Sequence, residues 1–389
     1  MMIGTNELRA ALLLVAVLYF PCVAAPQTPQ SPFLDVRSFG AACNNKTDDS
    51  MALQNAINTG IAKGQPVYVP GGTCVHESTL TMNKGHTSVR LLGTPLLSVL
   101  KYTGPGSGWV WKNGDGTAYV YNPIVIGLDF FCGNATGCAR GIEAYSVSEG
   151  VFRDVHIGQS EGVFSTAWFC SNCSIMDIDH LVLSATSKAA TPAVGLDCLG
   201  CAGIIIRSGD FYYFPTATLR FSGPTNQIVI DSNWFEAEDT AILFDDSNAG
   251  GAITSDLISI VNNRFLFNGA SGVPAKEGTF QHQVALRFHN AAGKLMNMTG
   301  VLFGPGNSVF CAYKLCNADT PIIASVSPST APDTEIDVTI RENTIRGVRS
   351  GIITSNSYKV NAFLQNNRNI GPDRKAITKA VVGTATLLH

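Results

Sequence analysis

The sequence is short of charge. Only 14% of its 389 residues are Asp, Glu, Lys or Arg, and the formal net charge is -3, with a pI near 6.2. So weak and mildly acidic a balance supplies no basic surface for a phosphate backbone, which excludes nucleic acid as an expected partner. Long apolar runs are missing as well. The longest, residues 10–20, has eleven residues, well short of the ~20 that an ordinary membrane helix needs. No block of like charge and no low-complexity tail follows the short 27–32 segment, so nothing in the composition reads as disorder. What is there is a turn-rich chain, 45% hydrophobic with 38 glycines, compatible with one extended domain.

The one apolar run has another reading. A polar leader, MMIGTNELR, precedes it and Val23, Ala24 and Ala25 offer small residues for cleavage, the layout of a secretory signal peptide over residues 1–25. Residues 26–33 form a linker and 34–389 the remaining domain. Export implies an extracellular or periplasmic setting, off the membrane once the signal is removed. Cysteine usage agrees. Of the eleven, Cys22 leaves with the signal, and the other ten group by proximity as Cys43 with Cys74, Cys132 with Cys138, Cys170 with Cys173, Cys198 with Cys201 and Cys311 with Cys316. An even number in an exported chain implies disulfides. The two CxxC pairs, 28 residues apart, also have the spacing of a four-thiolate zinc site. Compartment and repeat spacing favour disulfides, and the connectivity of Cys170, Cys173, Cys198 and Cys201 stays open. Asn45, Asn134, Asn172 and Asn297 begin N-x-S/T sequons.

An eight-residue pattern recurs along the chain. PIVIGLDF begins at Pro123, GVFRDVHI at Gly150, SIMDIDHL at Ser174, IIIRSGDF at Ile204, IVIDSNWF at Ile228 and ISIVNNRF at Ile258, with weaker copies from Met296, Val338 and Ala362. Successive starts lie 27, 24, 30, 24, 30, 38, 42 and 24 residues apart. A period in the twenties with occasional insertions means one supersecondary unit stacked along an axis. A second track follows, at GVFSTAW from Gly162, TATLRFSG from Thr216, TAILFDDS from Thr240 and SGIITSNS from Ser350. Each coil therefore has at least two short strands, and the asparagines of SNW, NNR, ENT and QNNRN sit at the turns, where they can stack as ladders.

Residues 34–77 differ from the repeats and read as a cap and first coil. After DVRSFGA, the run Thr47-Asp48-Asp49-Ser50 is a helix start, with the tandem aspartates as caps. Leu53, Ala56, Ile57 and Ile61 share one helical face, and Gly64 ends the helix. Lying across the open edge of the first coil, such a helix blocks end-to-end pairing. The run DVRSFGA, KTDDSMALQNAI and VYVPGGT resembles the opening signature of the pectate-lyase-3 group, with its rhamnogalacturonase- and epimerase-like members. That resemblance implies an all-β, right-handed, single-stranded parallel β-helix of the pectin-lyase-like type with an N-terminal capping helix, an extracellular setting and a polysaccharide substrate.

Chemistry is expected on the outward faces, because stacked apolar residues fill the coils. Five acids, Glu236, Glu238, Asp239, Asp245 and Asp246, fall within eleven residues of a chain poor in charge. Aligning the coils from Ile204 and Ile228 without gaps sets Tyr212 beside Glu236, Phe214 beside Glu238, Pro215 beside Asp239 and Arg220 beside Phe244. It also sets Phe221 and Ser222 beside Asp245 and Asp246. The QVALRFHN strand brings Arg287 and His289 to the same track. Tyr212 and Tyr213 suit sugar rings, and the arginines suit uronate carboxylates.

Three readings follow. Paired carboxylates, drawn from Glu236, Glu238 and Asp239, fit glycoside hydrolysis, with Tyr212, Tyr213, Arg220, Asp245, Asp246, Arg287 and His289 binding the substrate. EDTAI resembles the GDDxIAI motif of polygalacturonase relatives, which carries catalytic roles onto Glu238 and Asp239, although Glu replaces the first Asp and no Asn-Thr-Asp, Gly-His-Gly or Arg-Ile-Lys companion is found. Elimination by a lyase is the second, with a uronate neutralised by calcium or arginine. A glycan-binding scaffold without catalysis is the third. The hydrolase calls for no metal and no cofactor. Oligomeric state is not readable from the sequence.

Overall fold

Alternation decides the strands. In Thr225–Asp231, Ile228 and Ile230 are buried while Val229 between them is partly exposed, and the next coil repeats this with Ile258, Ile260 and Ser259. The period of two turns one face of each strand into the coil. The computed structural model describes residues 32–185, 194–236, 239–245, 253–267, 284–289, 296–311, 324–326, 335–346, 353–355, 359–369, 381–383 and 386–388. The signal peptide, Glu238, Asp246, Cys316 and the side chain of Cys311 lie outside the described residues.

Strands stack in register into two sheets, one of 25 strands and one of 11 among the described residues. Among the described residues the ladders between coils are parallel, and the one antiparallel ladder joins Asn83–Lys84 to Thr87–Ser88, beside an isolated antiparallel bridge between Asn113 and Ala118. The chain is thus a right-handed parallel β-helix. One coil contains Thr225–Asp231, Trp234–Glu236 and Thr240–Asp245, and these pair with Ile253–Val261, Arg264–Phe267 and Val284–His289 of the next. Three strands per coil, not only the two tracks read from the repeats, are therefore present. The first two belong to the larger sheet and the third to the smaller.

The bend between the first two strands explains the SNW and NNR signals. Asp154, His180, Ser208, Ser232, Asn262, Glu342 and Asn366 all adopt positive φ, between 50° and 58°, a left-handed conformation that non-glycine residues rarely hold. Stacked asparagines follow it. The Asn233 side-chain amide donates to the Ile206 carbonyl at 3.0 Å and to Asn263 Oδ1 at 3.0 Å, and Asn263 in turn donates to Ile230 at 2.8 Å and Asn307 Oδ1 at 3.2 Å. Farther along, Asn343 donates to Asn367 Oδ1 at 2.8 Å. Each amide nitrogen reaches a backbone carbonyl of the preceding coil, so these donors are paired. Inside, Phe211, Phe235 and Phe265 stack at 4.9 and 4.8 Å, and Phe221, Phe244 and Phe288 at 5.4 and 5.6 Å. Burying each such ring is worth about 1.5–3 kcal/mol.

The capping helix, α1, spans Ser50–Lys63 and buries Leu53, Ala56, Ile57 and Ile61, with Gly64 closing it at φ 64°. It also covers a sheet edge. Gln54 accepts from the Thr81 N–H at 2.8 Å and donates to the Thr81 carbonyl at 2.9 Å, filling the hydrogen bonds that a neighbouring strand would make at the first strand of the smaller sheet. The aspartates depart from the simple cap. Asp48, not Asp49, accepts from Ser50 N at 3.1 Å, while Asp49 makes no side-chain cap bond. Its carboxylate instead receives the Ala42 and Cys43 N–H groups at 2.7 and 2.9 Å, because the turn before it presents two amides with no strand to meet.

Disulfides join Cys43 to Cys74, Cys132 to Cys138, Cys170 to Cys173 and Cys198 to Cys201. The last two sit on adjacent coils, with Cys170 and Cys198 in register, and each closes within its own CxxC. No helix among the described residues is long and apolar enough to cross a membrane.

Candidate functional site

Two outward faces gather the chemistry. On the larger sheet, Phe211, Phe235 and Phe265 point inward, so the residues on either side of each point out. Asp210, Trp234 and Arg264 form one outward column, and Tyr212, Glu236 and Leu266 form the next. Glu236 is only 6% exposed and accepts the Trp234 indole N–H at 3.2 Å. The Arg264 guanidinium lies 5.6 Å from the Trp234 ring, a cation–π contact. Burial pushes the Tyr212 phenol above its usual range, and the carboxylates of Asp210 and Glu236 add to the effect. Asp210, open to solvent on one side, has its pKa raised by burial against the protein on the other, with His180 pulling the opposite way.

On the smaller sheet, Leu219, Ile242 and Leu286 point inward, as do Phe221, Phe244 and Phe288. The column between them reads Glu143, Phe169, Asp197, Arg220, Leu243 and Arg287 in register. Arg220 holds Asp197 with two prongs, Nε to Oδ1 at 2.8 Å and Nη2 to Oδ2 at 2.5 Å. Burial works against the Arg220 charge, but Asp197 and then Asp245 outweigh it, so its pKa rises. For Arg287 burial wins and the pKa falls, although Asp239 and Asp245 both act to raise it. One step along, Asp245 pairs in register with His289, and His289 Nδ1 lies 3.1 Å from Asp245 Oδ1. Asp239 and Asp245 are 5% and 4% exposed. Asp239 also accepts from the Thr240 hydroxyl at 3.2 Å.

The expected neighbours are met in part. Tyr212 lies beside Glu236, and Asp245, Arg287, His289 and Arg220 share one face with Asp239 at its margin. Tyr213 contributes its backbone N–H to the Glu236 carbonyl at 3.1 Å, and its ring is 6.5 Å from that of Tyr212. The ungapped alignment fails after Glu236. Arg220 lies beside Leu243, not Phe244, and Phe221 lies beside Phe244. The pairing offset is 24 at Tyr212 and Glu236 and 23 at Leu219 and Ile242, so the second coil turns its corner with one residue fewer. A one-residue slip would have sent the buried Phe244 outward. The acids divide between the two sheets, Glu236 on the larger and Asp245 on the smaller.

Asp210, Trp234, Arg264 and Asp197 were missed by the sequence reading. Position seven of the octets, filled by Asp210, Trp234 and Arg264, was the available signal. For Asp197 the signal was its place in the strand before the TLRF repeat.

Among the described residues, the groups of three potential metal ligands are Cys170, Cys198 and Cys201, and Cys43, Asp49 and Cys74. Both consist mainly of cysteines joined in disulfides, which do not suit the thiolate zinc site. Calcium fits the acids poorly, because guanidinium groups stand beside Asp239 and Asp245 and Glu236 faces elsewhere.

Residues 33–117 match the family model described as rhamnogalacturonase A/epimerase, pectate lyase-like. With the coil architecture, this makes the chain similar to pectate-lyase-like parallel β-helix proteins. The chain is similar to a hyperthermoactive exopolygalacturonase from Thermotoga maritima, with a TM-score of 0.54 and 11% identity over 88% of this chain and 93% of that one. It is also similar to a mutant tailspike protein of E. coli bacteriophage HK620 in complex with pentasaccharide, with a TM-score of 0.54 and 12% identity over 92% of this chain and 65% of the tailspike. At these identities the likeness shows the fold alone. No curated protein matches by sequence.

Proposed function

We propose that the protein is a secreted polysaccharide hydrolase whose reaction centre lies on the outward face around Glu236. The observation that carries this reading is the setting of Glu236, a nearly buried carboxylate bonded to the Trp234 indole N–H and in register with Tyr212. Trp234 and Tyr212 give flat amphipathic surfaces for a sugar ring, and the carboxylate has a fixed direction toward it. The adjoining face supplies Arg287 and His289 for acidic groups on the chain. The exopolygalacturonase and the pentasaccharide-bound tailspike support a polysaccharide as the partner. Four disulfides support an exported chain.

One observation favours a second reading. Arg287 sits in the field of both Asp239 and Asp245, an arrangement that suits a lyase in which arginine neutralises a uronate and an acid takes its α-proton.

The test is an assay of the purified mature chain on pectins, rhamnogalacturonan and other acidic glycans, reading reducing ends and ultraviolet absorbance together. Reducing ends without absorbance, lost by ~100-fold or more in Glu236→Gln, support the hydrolase. Absorbance lost in Arg287→Ala moves the assignment to the lyase. Glycan binding with neither product makes the protein a scaffold.

A further inference from the structure

We propose that Asp210 is the proton donor of an inverting glycoside hydrolysis in which Glu236 activates the attacking water, an inference that rests on the hydrolase reading above. Asp210 was not among the acids singled out by the sequence. It lies on the coil before Glu236, paired in register with Trp234, while Tyr212 is paired with Glu236. Phe211 and Phe235, the residues between, are both buried and stack at 4.9 Å. The alternation therefore sends Asp210, Tyr212, Trp234 and Glu236 out through the same face.

Their separation follows from sheet geometry. One strand spacing of ~4.8 Å and a two-residue rise of ~6.6 Å set a diagonal of about 8 Å between the Cα atoms of Asp210 and Glu236. Inverting glycosidases hold their two carboxyl groups about 6.5–9.5 Å apart to admit a sugar and a water, whereas retaining ones hold them at about 5–5.5 Å. A Cα diagonal of that length leaves room for the wider carboxyl spacing, and the anomeric configuration of the product tests which spacing operates. Both carboxylates act on the Tyr212 phenol, which lies between them.

The two acids differ in setting as the two roles require. Asp210 is exposed toward an incoming ligand, and the protein behind it raises its pKa, the direction that keeps a proton in place. Glu236 is nearly buried and fixed by the Trp234 N–H. Other charged groups near these acids include Arg264, over the Trp234 ring, and His180, which acts on Asp210 from the bend of an earlier coil. Asp129, His156 and Arg346 stand farther along the same two columns. An aromatic pair flanking the acids is what distinguishes this arrangement from a solvated acidic turn.

In the step proposed, the Asp210 O–H proton passes to the glycosidic oxygen as the anomeric C–O bond breaks and its electron pair stays on that oxygen. A water oxygen bonds to the anomeric carbon from the opposite face and gives a proton to Glu236. One water is consumed per bond cleaved. Proton exchange with solvent restores both carboxyl groups.

The experiment compares two substrates, the polysaccharide that the wild-type chain cleaves and the 2,4-dinitrophenyl glycoside of its sugar, whose leaving group needs no proton. Asp210→Asn is expected to lose ~100-fold or more on the polysaccharide, within the range of general acid catalysis, and less than ~10-fold on the dinitrophenyl glycoside. Glu236→Gln is expected to lose activity on both. Proton NMR of the first product formed is expected to show inverted anomeric configuration. Equal losses of Asp210→Asn on both substrates, full activity on the polysaccharide, or retained configuration each overturn the proposal while leaving the hydrolase intact. A wild-type chain that hydrolyses nothing overturns both. Circular dichroism of Asp210→Asn, at an exposed position, shows that the fold is kept.

Discussion

Arg220 grips Asp197 through Nε and Nη2, at 2.8 and 2.5 Å, across two adjacent coils of the smaller sheet. Their side chains are 17% and 6% exposed. The sequence marks Arg220 as a ligand for an acidic sugar, but most of its fork serves this neighbour. Removing one partner strands a nearly buried charge, a loss of about 3–5 kcal/mol. Arg220→Ala is thus expected to lower stability by that order in urea unfolding, and an Asp197→Leu, Arg220→Leu double variant to recover most of it. An Arg220→Ala chain of unchanged stability would show that the pair is a surface contact only.

Asn263 is the central rung of a buried ladder. Its Oδ1 accepts the Asn233 backbone and side-chain N–H groups at 2.9 and 3.0 Å, and its Nδ2 reaches the Ile230 carbonyl at 2.8 Å. Each buried group left without a partner costs about 1–3 kcal/mol. Asn263→Ala should therefore lose several times what an exposed asparagine would, on the order of 3–5 kcal/mol by chemical denaturation. Asn263→Asp keeps the shape, yet it should fare no better, because it replaces the donor to Ile230 with an acceptor.

Acid sensitivity is expected above the ordinary carboxylate range. Burial lowers the pKa of His76 to about 4 and that of His156 to about 4, against ~6.5 in the unfolded chain. The unfolded state then binds more protons between those values. Stability is complete above ~6.5 and falls as the pH drops toward 4, by on the order of 3 kcal/mol for each histidine. Asp129 and Asp210, with raised pKa values, act in the opposite sense nearer the carboxylate range. Urea midpoints at several pH values should show the decline, and His156→Gln should flatten it by about half. A pH-independent midpoint from 6.5 to 4.5 would refute this account.

Gln54 closes the first edge of the smaller sheet through Thr81. Gln54→Ala uncovers a strand N–H and carbonyl there and should cost about 1 kcal/mol. The stronger expectation is self-association, measured by light scattering, since an uncovered edge pairs with another chain. A variant that stays as dispersed as the parent would show that the rest of α1 suffices.

Much of the fold was legible. Octets such as IVIDSNWF alternate apolar and polar residues and then bend at asparagine, and Cys132 and Cys138 lie close enough in the chain to pair. The candidate site was legible in patches. Tyr212 beside Glu236 follows from lining up repeats, because coils of similar length put equivalent positions in register, and the QVALRFHN strand placed Arg287 and His289 on the neighbouring track without fixing their partners. The shift at Arg220 was not legible, since the corner after Glu236 drops a residue that no local pattern marks.

The sequence by itself determined the repeating coil, the helix that caps it and the pairing of Cys132 with Cys138, because period-two alternation and short spacings are properties of neighbouring residues, whereas the pairing within each CxxC was decided by the structure. Tertiary structure alone decided which acids share a face. Asp197 meets Arg220 across hydrogen-bonded strands with a pairing offset of 23, and Asp245 faces His289 with one of 44. With a side-chain period of two, a change of one residue in a corner sends a carboxylate to one face or the other, and only the burial of Phe221 against Phe244 settles which.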